Sequence, residues 1–189
     1  MNRGYFQKFQ IKDVVFLAIM SAVALATCAV MPLVISLQPL IFGISQLVTA
    51  LQIGVFFAIG LYKVRKPGSL LIMALMMGLI QLMMSPPMFL SSVLNGILIE
   101  LIVLLLFRGY EKDAAVFVAA MLHTPLSLPF NYLYNRLVKG ADSPLAAVAD
   151  RAPLAAVGMT LAVVAVSALG ALIGIKIARE LKKSGVLKK

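Results

Sequence analysis

Six stretches of predominantly apolar residues, near 13–36, 41–62, 69–85, 88–107, 114–137 and 154–177, are separated by short connections in all but one case. About 20 helical residues cross a hydrocarbon core of roughly 30 Å. Inside such a core every backbone polar group must be paired within the chain, which selects helices for runs of this length. A mean hydropathy of +1.02, with 62% hydrophobic residues, exceeds what a soluble domain of 189 residues can hide from water. The expectation is an all-α membrane protein with six transmembrane helices, the third the shortest, forming one integral membrane domain over 1–189.

The formal charge of +10 would suit a nucleic-acid binder, but the basic residues sort by membrane side instead. With the N-terminus inside, all of the 17 Lys and Arg except Arg136, Lys139 and Arg151 fall on the inner segments. Positive charge collects on the cytoplasmic side of membrane proteins, so both termini are expected in the cytoplasm, in the plasma membrane of a prokaryotic cell. The first apolar run is too long for a cleaved signal peptide and fits the charge count only if it is retained. "LATC" at 25–28 resembles a lipoprotein cleavage box, but Thr27 stands where a smaller residue is needed.

Cys28 is the single cysteine, so no intrachain disulfide can form, and no second thiol is present to share a metal; it reads as an inert core residue. Phosphate-cradling glycine loops, paired histidines and Cys/His ligand clusters are absent from the sequence. If ATP drives anything here, another chain binds it. Eleven methionines, among them Met83, Met84 and Met88 around "SPP", raise a copper(I) reading, but they lack a regular spacing on one face and also fill membrane-helix packing. No metal and no cofactor is expected.

Polar side chains at bilayer depth are costly, and where they cluster they point to a binding site. On the fourth run Ser92, Gly96 and Glu100 are four residues apart, with Asn95 beside them; on the fifth His123, Ser127, Asn131 and Asn135 repeat every four, joined by Tyr132 and Tyr134. At a rise of about 1.5 Å per residue, Asn95 and Asn131 lie about 10 Å in from the outer ends, and Glu100 near the midplane. Gln81 on the third run, with Gln46 and Thr49 on the second, can complete a wall. The implied object is a closed-bottom pocket open to the outside, in which helices 4 and 5 face one another. Plainer readings stand beside this one. Glu100 can be a protonated interhelical partner, His123 can satisfy carbonyls freed by its neighbouring prolines, and Asn95 and Asn131 can be interhelical glue.

"HTPLSLPF" holds Pro125 and Pro129, each of which removes a backbone donor, so the fifth helix is expected to be distorted or broken there. The connection "VKGADSPLAAVADRAP" at 138–153 is long enough for a short helix or lid, or for a solvated loop.

"FLAIMSAVALATCAVM" at 16–31 spaces Ala18, Ala22, Ala26 and Ala29 by four, four and three, so a helix carries them as one small-residue stripe that another helix can approach closely. Together with this stripe, "VRKPGSLLIMALMMGLIQLMMSPP" and "NGILIELIVLLLFRGY", which keeps a midmembrane glutamate, give a sequence that resembles the S components of energy-coupling factor (ECF) vitamin transporters, nearest the hydroxymethylpyrimidine and thiamine subgroup. The resemblance spans about 45–135 apart from the stripe. It implies a six-helix bundle with both termini inside. It also implies docking of Ala18, Ala22 and Ala26 onto a transmembrane scaffold subunit that carries two ATPases, and capture of one vitamin-like small molecule. Thiamine-binding members commonly stack the ligand on aromatic side chains, often tryptophan. This chain has no tryptophan, which leaves Tyr132, Tyr134 or Phe130 for that role.

The expected function is therefore high-affinity capture of a vitamin or precursor, with thiamine or hydroxymethylpyrimidine favoured, for ATP-driven uptake; the chain itself is not an enzyme. The substrate-binding candidates are Glu100, Asn95, Ser92, His123, Asn131, Tyr132, Tyr134 and Gln81. A carboxylate can accept from an aminopyrimidine or offset a thiazolium, and each Asn offers a donor and an acceptor. Two rivals keep Glu100 and His123 at the centre: a stand-alone cation- or proton-coupled transporter using them as a relay, and an intramembrane enzyme using them as an acid/base or metal pair.

Overall fold

The computed structural model describes residues 8–28, 30, 33–34, 36–140 and 143–187; Ala29 of the alanine stripe lies outside them. Among the described residues seven helices and no strand are delineated: α1 Ile11–Thr27, α2 Ile44–Lys63, α3 Ser69–Leu82, α4 Pro86–Phe107, α5 Asp113–Val138, α6 Pro144–Arg151 and α7 Pro153–Lys183. Four of them, α2, α4, α5 and α7, are long and apolar enough to cross a membrane. The other two apolar runs are shorter helices: α1 has 17 residues and α3 has 14, about 25 Å and 21 Å at the helical rise. The 138–153 connection holds the extra helix α6.

Each boundary has a local cause. Proline opens α4, α6 and α7, where its missing N–H is one that a helix leaves unpaired anyway. The first expected run, 13–36, is corrected: its helix stops at Thr27, whose hydroxyl takes the Ala24 carbonyl at 2.8 Å. The chain then turns through Ser36–Ile41, and Gly43 enters α2 at a φ of 75°, a left-handed conformation that suits glycine.

The expected break in the fifth helix is also corrected, since α5 runs through Pro125 and Pro129. The carbonyl that Pro125 cannot serve belongs to Met121, four residues back, and Ser167 of α7 donates to it at 2.8 Å. A neighbouring hydroxyl thus supplies the missing bond, and the helix continues.

The seam between α2 and α7 is the most extensive helix contact. It depends on glycine: a Cβ on Gly54 would lie 2.9 Å from the Ser167 carbonyl oxygen, and one on Gly174 would lie 2.9 Å from the Val55 Cα. α5 packs against α2, α4 and α7, so the expected α4–α5 facing holds. α1 buries Leu17, Ser21 and Ala24 against α2 and α3, with the Ser21 hydroxyl reaching the Met73 carbonyl at 3.1 Å.

One end of the bundle gathers the start of α1, the 64–68 and 108–112 turns and the end of α7. Here Arg65 binds the Glu111 carbonyl and pairs with Asp113, which also takes Arg179 at 2.6 Å. Lys66 pairs with Asp13 at 2.6 Å. The Gly68 N–H donates to Glu100 Oε1 at 2.6 Å, and the buried Tyr110 hydroxyl donates to Glu100 Oε2 at 2.9 Å. Burial, with the Glu100 carboxyl beside it, pushes the Tyr110 hydroxyl well above its ordinary range, so it stays a neutral donor.

Candidate functional site

Remote from that basic end, α2, α3, α4 and α5 enclose a cavity of about 100 Å³. α5 contributes His123, Ser127 and Asn131, whose spacing of four keeps them on one face, and α4 contributes Ser92 and Asn95. Gln46 and Thr49 of α2 and Gln81 of α3 complete the polar wall, while Ile53 and Met77 supply apolar surface. Five of the eight expected substrate-binding residues thus converge: Ser92, Asn95, Gln81, His123 and Asn131.

Several wall hydroxyls are already engaged, and Thr49 donates to the Ser45 carbonyl at 2.9 Å. Ser92 donates to the Ala74 carbonyl at 2.9 Å, tying α4 to α3, and Ser127 donates to the Thr124 carbonyl at 2.7 Å. Other buried polar atoms have no partner among the described residues: Asn95 Oδ1, both ring nitrogens of His123, and Thr124 Oγ1. Natural interiors pair nearly all such groups. The His123 ring is held from the side by Phe57, with centroids 4.4 Å apart and planes tilted by 45°. At the rim, Gln38 reaches from the 36–42 turns to donate to Ser45, which donates to Gln46 Oε1 at 2.8 Å.

Three expected residues lie elsewhere. Glu100 is five residues past Asn95, which on an α-helix means about 7.5 Å deeper and about 140° round the axis. It faces the start of α3, where Gly68 and Tyr110 occupy its oxygens. Tyr132, about 100° round from Asn131, donates to Asp150 Oδ1 of α6 at 2.7 Å and borders a separate groove of about 480 Å³. Tyr134 is half-buried with Lys139 over its ring at 5.9 Å and is not part of the cavity wall, nor is Phe130. Asn135 ties α5 to the start of α6 by accepting from Ser143 at 2.9 Å.

Sequence reasoning missed Thr124, Ser45, Ser91 and Gln38 as wall residues. Thr124 had a signal, because it stands beside His123 and is a turn from Ser127. Gln38 had none beyond being a polar residue in an apolar loop. On α1, Ala22 and Ala26 are exposed and Ala18 is half-buried, so the alanine stripe lies on the face turned away from the bundle. Among the described residues no three His, Cys, Asp or Glu come together as a metal set.

A solved structure of another protein has the same helical-bundle fold. That protein is described as an S-component of an ECF transporter; it superposes with a TM-score of 0.64 at 22% identity, covering 95% of this chain and 89% of that one. The chain belongs to the family described as hypothetical bacterial integral membrane protein (Trep_Strep), which matches residues 11–183. It is accordingly a multi-pass membrane protein. No curated protein matches it.

Proposed function

We propose that this chain is the substrate-capture subunit of an ECF-type uptake system, binding one small vitamin-like molecule in the α2–α5 cavity. The observation that carries the reading is the set of buried, unpartnered atoms on Asn95, His123 and Thr124 within a bundle that shares the S-component fold. In this reading α1 and α3 also cross the bilayer, six crossings in all. Both termini are cytoplasmic, and the cavity opens outward.

The open alanine face of α1 docks onto the scaffold subunit, which carries two ATPases. Small residues allow close helix approach, and the exposure of Ala22 and Ala26 leaves them accessible for it. Of the two favoured ligands, a hydroxymethylpyrimidine-like one fits a wall of amides and hydroxyls. The stacking partner is the His123 ring, backed by Phe57, in place of Tyr132 or Tyr134.

The test is mass spectrometry of small molecules released from gently purified protein, with binding remeasured in Asn95→Ala. A stoichiometric ligand, lost in that variant, supports the reading. Ala22→Leu is expected to leave ligand binding intact while abolishing assembly with the scaffold and ATPases. Uptake by the reconstituted chain alone, driven by a pH gradient without ATP, would overturn the proposal in favour of a stand-alone transporter.

A further inference from the structure

We infer that the cavity selects uncharged, single-ring solutes whose edge presents both hydrogen-bond donors and acceptors, and that it excludes charged analogues. The inference rests on the capture reading and specifies its substrate class. It begins from what the wall lacks: among the described residues, none of those lining the cavity is Asp, Glu, Lys or Arg. The one carboxylate expected there, Glu100, has both oxygens occupied at the start of α3.

The unpartnered atoms state what the ligand must bring. Asn95, His123 and Thr124 are 1%, 5% and 3% exposed, so water reaches them poorly. Asn95 Oδ1 only accepts. A neutral imidazole offers one donor and one acceptor, and a hydroxyl offers both. A matching solute therefore presents donors and acceptors side by side, as the edges of amides, lactams and amidines do. Turning the Asn95 amide over, or moving the proton between the His123 nitrogens, leaves the need for both kinds.

Charged groups meet this wall badly. A carboxylate or phosphate only accepts, leaving Asn95 Oδ1 and the unprotonated His123 nitrogen facing an anion. An ammonium or thiazolium enters with no buried counter-charge, and desolvating an unpaired ion is the costliest step a pocket can demand. Size narrows the class further: about 100 Å³ is below the range of about 300–1,000 Å³ for drug-sized ligands. The faces suit a flat ring, with Ile53 and Met77 on the wall and His123 braced by Phe57.

The test uses purified full-length wild-type protein and matched probes that differ in charge. Nicotinamide is compared with nicotinate, and 4-amino-5-hydroxymethyl-2-methylpyrimidine with thiamine, by thermal shift and isothermal titration. Any molecule released from the protein is identified by mass spectrometry. The expected result is that the neutral member of a pair binds about 100-fold or more tightly than its charged partner. Any released ligand is expected to be uncharged at neutral pH, and His123→Gln, which keeps a donor and an acceptor, to retain part of the affinity that His123→Phe loses. Preferential binding of nicotinate or thiamine, or release of a charged ligand, would overturn the inference and leave the capture reading standing. No released ligand and no binding of any probe would overturn both.

Discussion

Replacing Gly174 by alanine puts a methyl group into the α2–α7 seam where no space exists for it. A Cβ there would lie 2.8 Å from the Ala58 Cβ, 2.9 Å from the Val55 Cα, and closer again to the Val55 carbonyl oxygen. Non-bonded carbons rest at about 3.5–4.0 Å, so the helices would have to part by at least about 0.7 Å. Two of the three obstructing atoms are backbone and cannot rotate aside. Overpacking costs about 1–3 kcal/mol, and a backbone obstruction belongs near the upper end. Alanine's better helix propensity returns about 0.5–1 kcal/mol, which leaves a net loss of about 2 kcal/mol. Gly158, on the same helix, has nothing within 4 Å of its own Cβ position, so Gly158→Ala keeps only the propensity gain. The assay is the melting temperature of both variants in one detergent, followed by size-exclusion chromatography after heating. Gly174→Ala is expected to melt below wild type and Gly158→Ala at or above it. If the two melt together, the close backbone approach of α2 and α7 is not what holds the seam.

Other outcomes follow from individual contacts. Ser167→Ala orphans the Met121 carbonyl and is expected to cost about 1–3 kcal/mol; in a Pro125→Ala background, where a backbone N–H again serves that carbonyl, the loss shrinks. A double-mutant cycle with no coupling would refute the compensation argument. Glu100→Leu leaves the Gly68 N–H and Tyr110 hydroxyl without their acceptor, at about 1–3 kcal/mol each, whereas Glu100→Gln keeps an acceptor and loses less. Ligand affinity measured by titration should be the same in both variants, and a Gln variant that melts normally but no longer binds would return the carboxyl to the cavity. Asp113→Ala removes the acidic partner of Arg65 and Arg179 together; because these pairs are partly exposed the expected loss is small, a downward melting shift that narrows in high salt.

The helices were legible because length and hydropathy are summed over many residues, and so were the polar faces of α4 and α5, which follow from a spacing of four. What escaped reading depends on neighbours in space. The four-residue spacing drifts by about 40° at each step, which is why Ser92 and Asn95 line the cavity while Glu100, farther along, turns to the start of α3. Pro125 reads locally as a break, and only the position of Ser167, 42 residues on, shows why none occurs. Tyr132 looked like a stacking residue until α6, which composition left undecided, supplied Asp150 as its partner. Gln38 became a wall residue through the path of a turn, and turns have no periodicity to read.

The turn at 64–68 has a practical consequence for anyone wishing to label or tag this protein. Within four residues it commits Arg65 to α5, Lys66 to α1 and the Gly68 N–H to α4. An epitope or fluorophore inserted there would unfasten three elements at once, although the site reads from sequence as an ordinary basic loop. At the other end of the molecule Gly140, with nothing within 4 Å of its Cβ position, offers the permissive site instead.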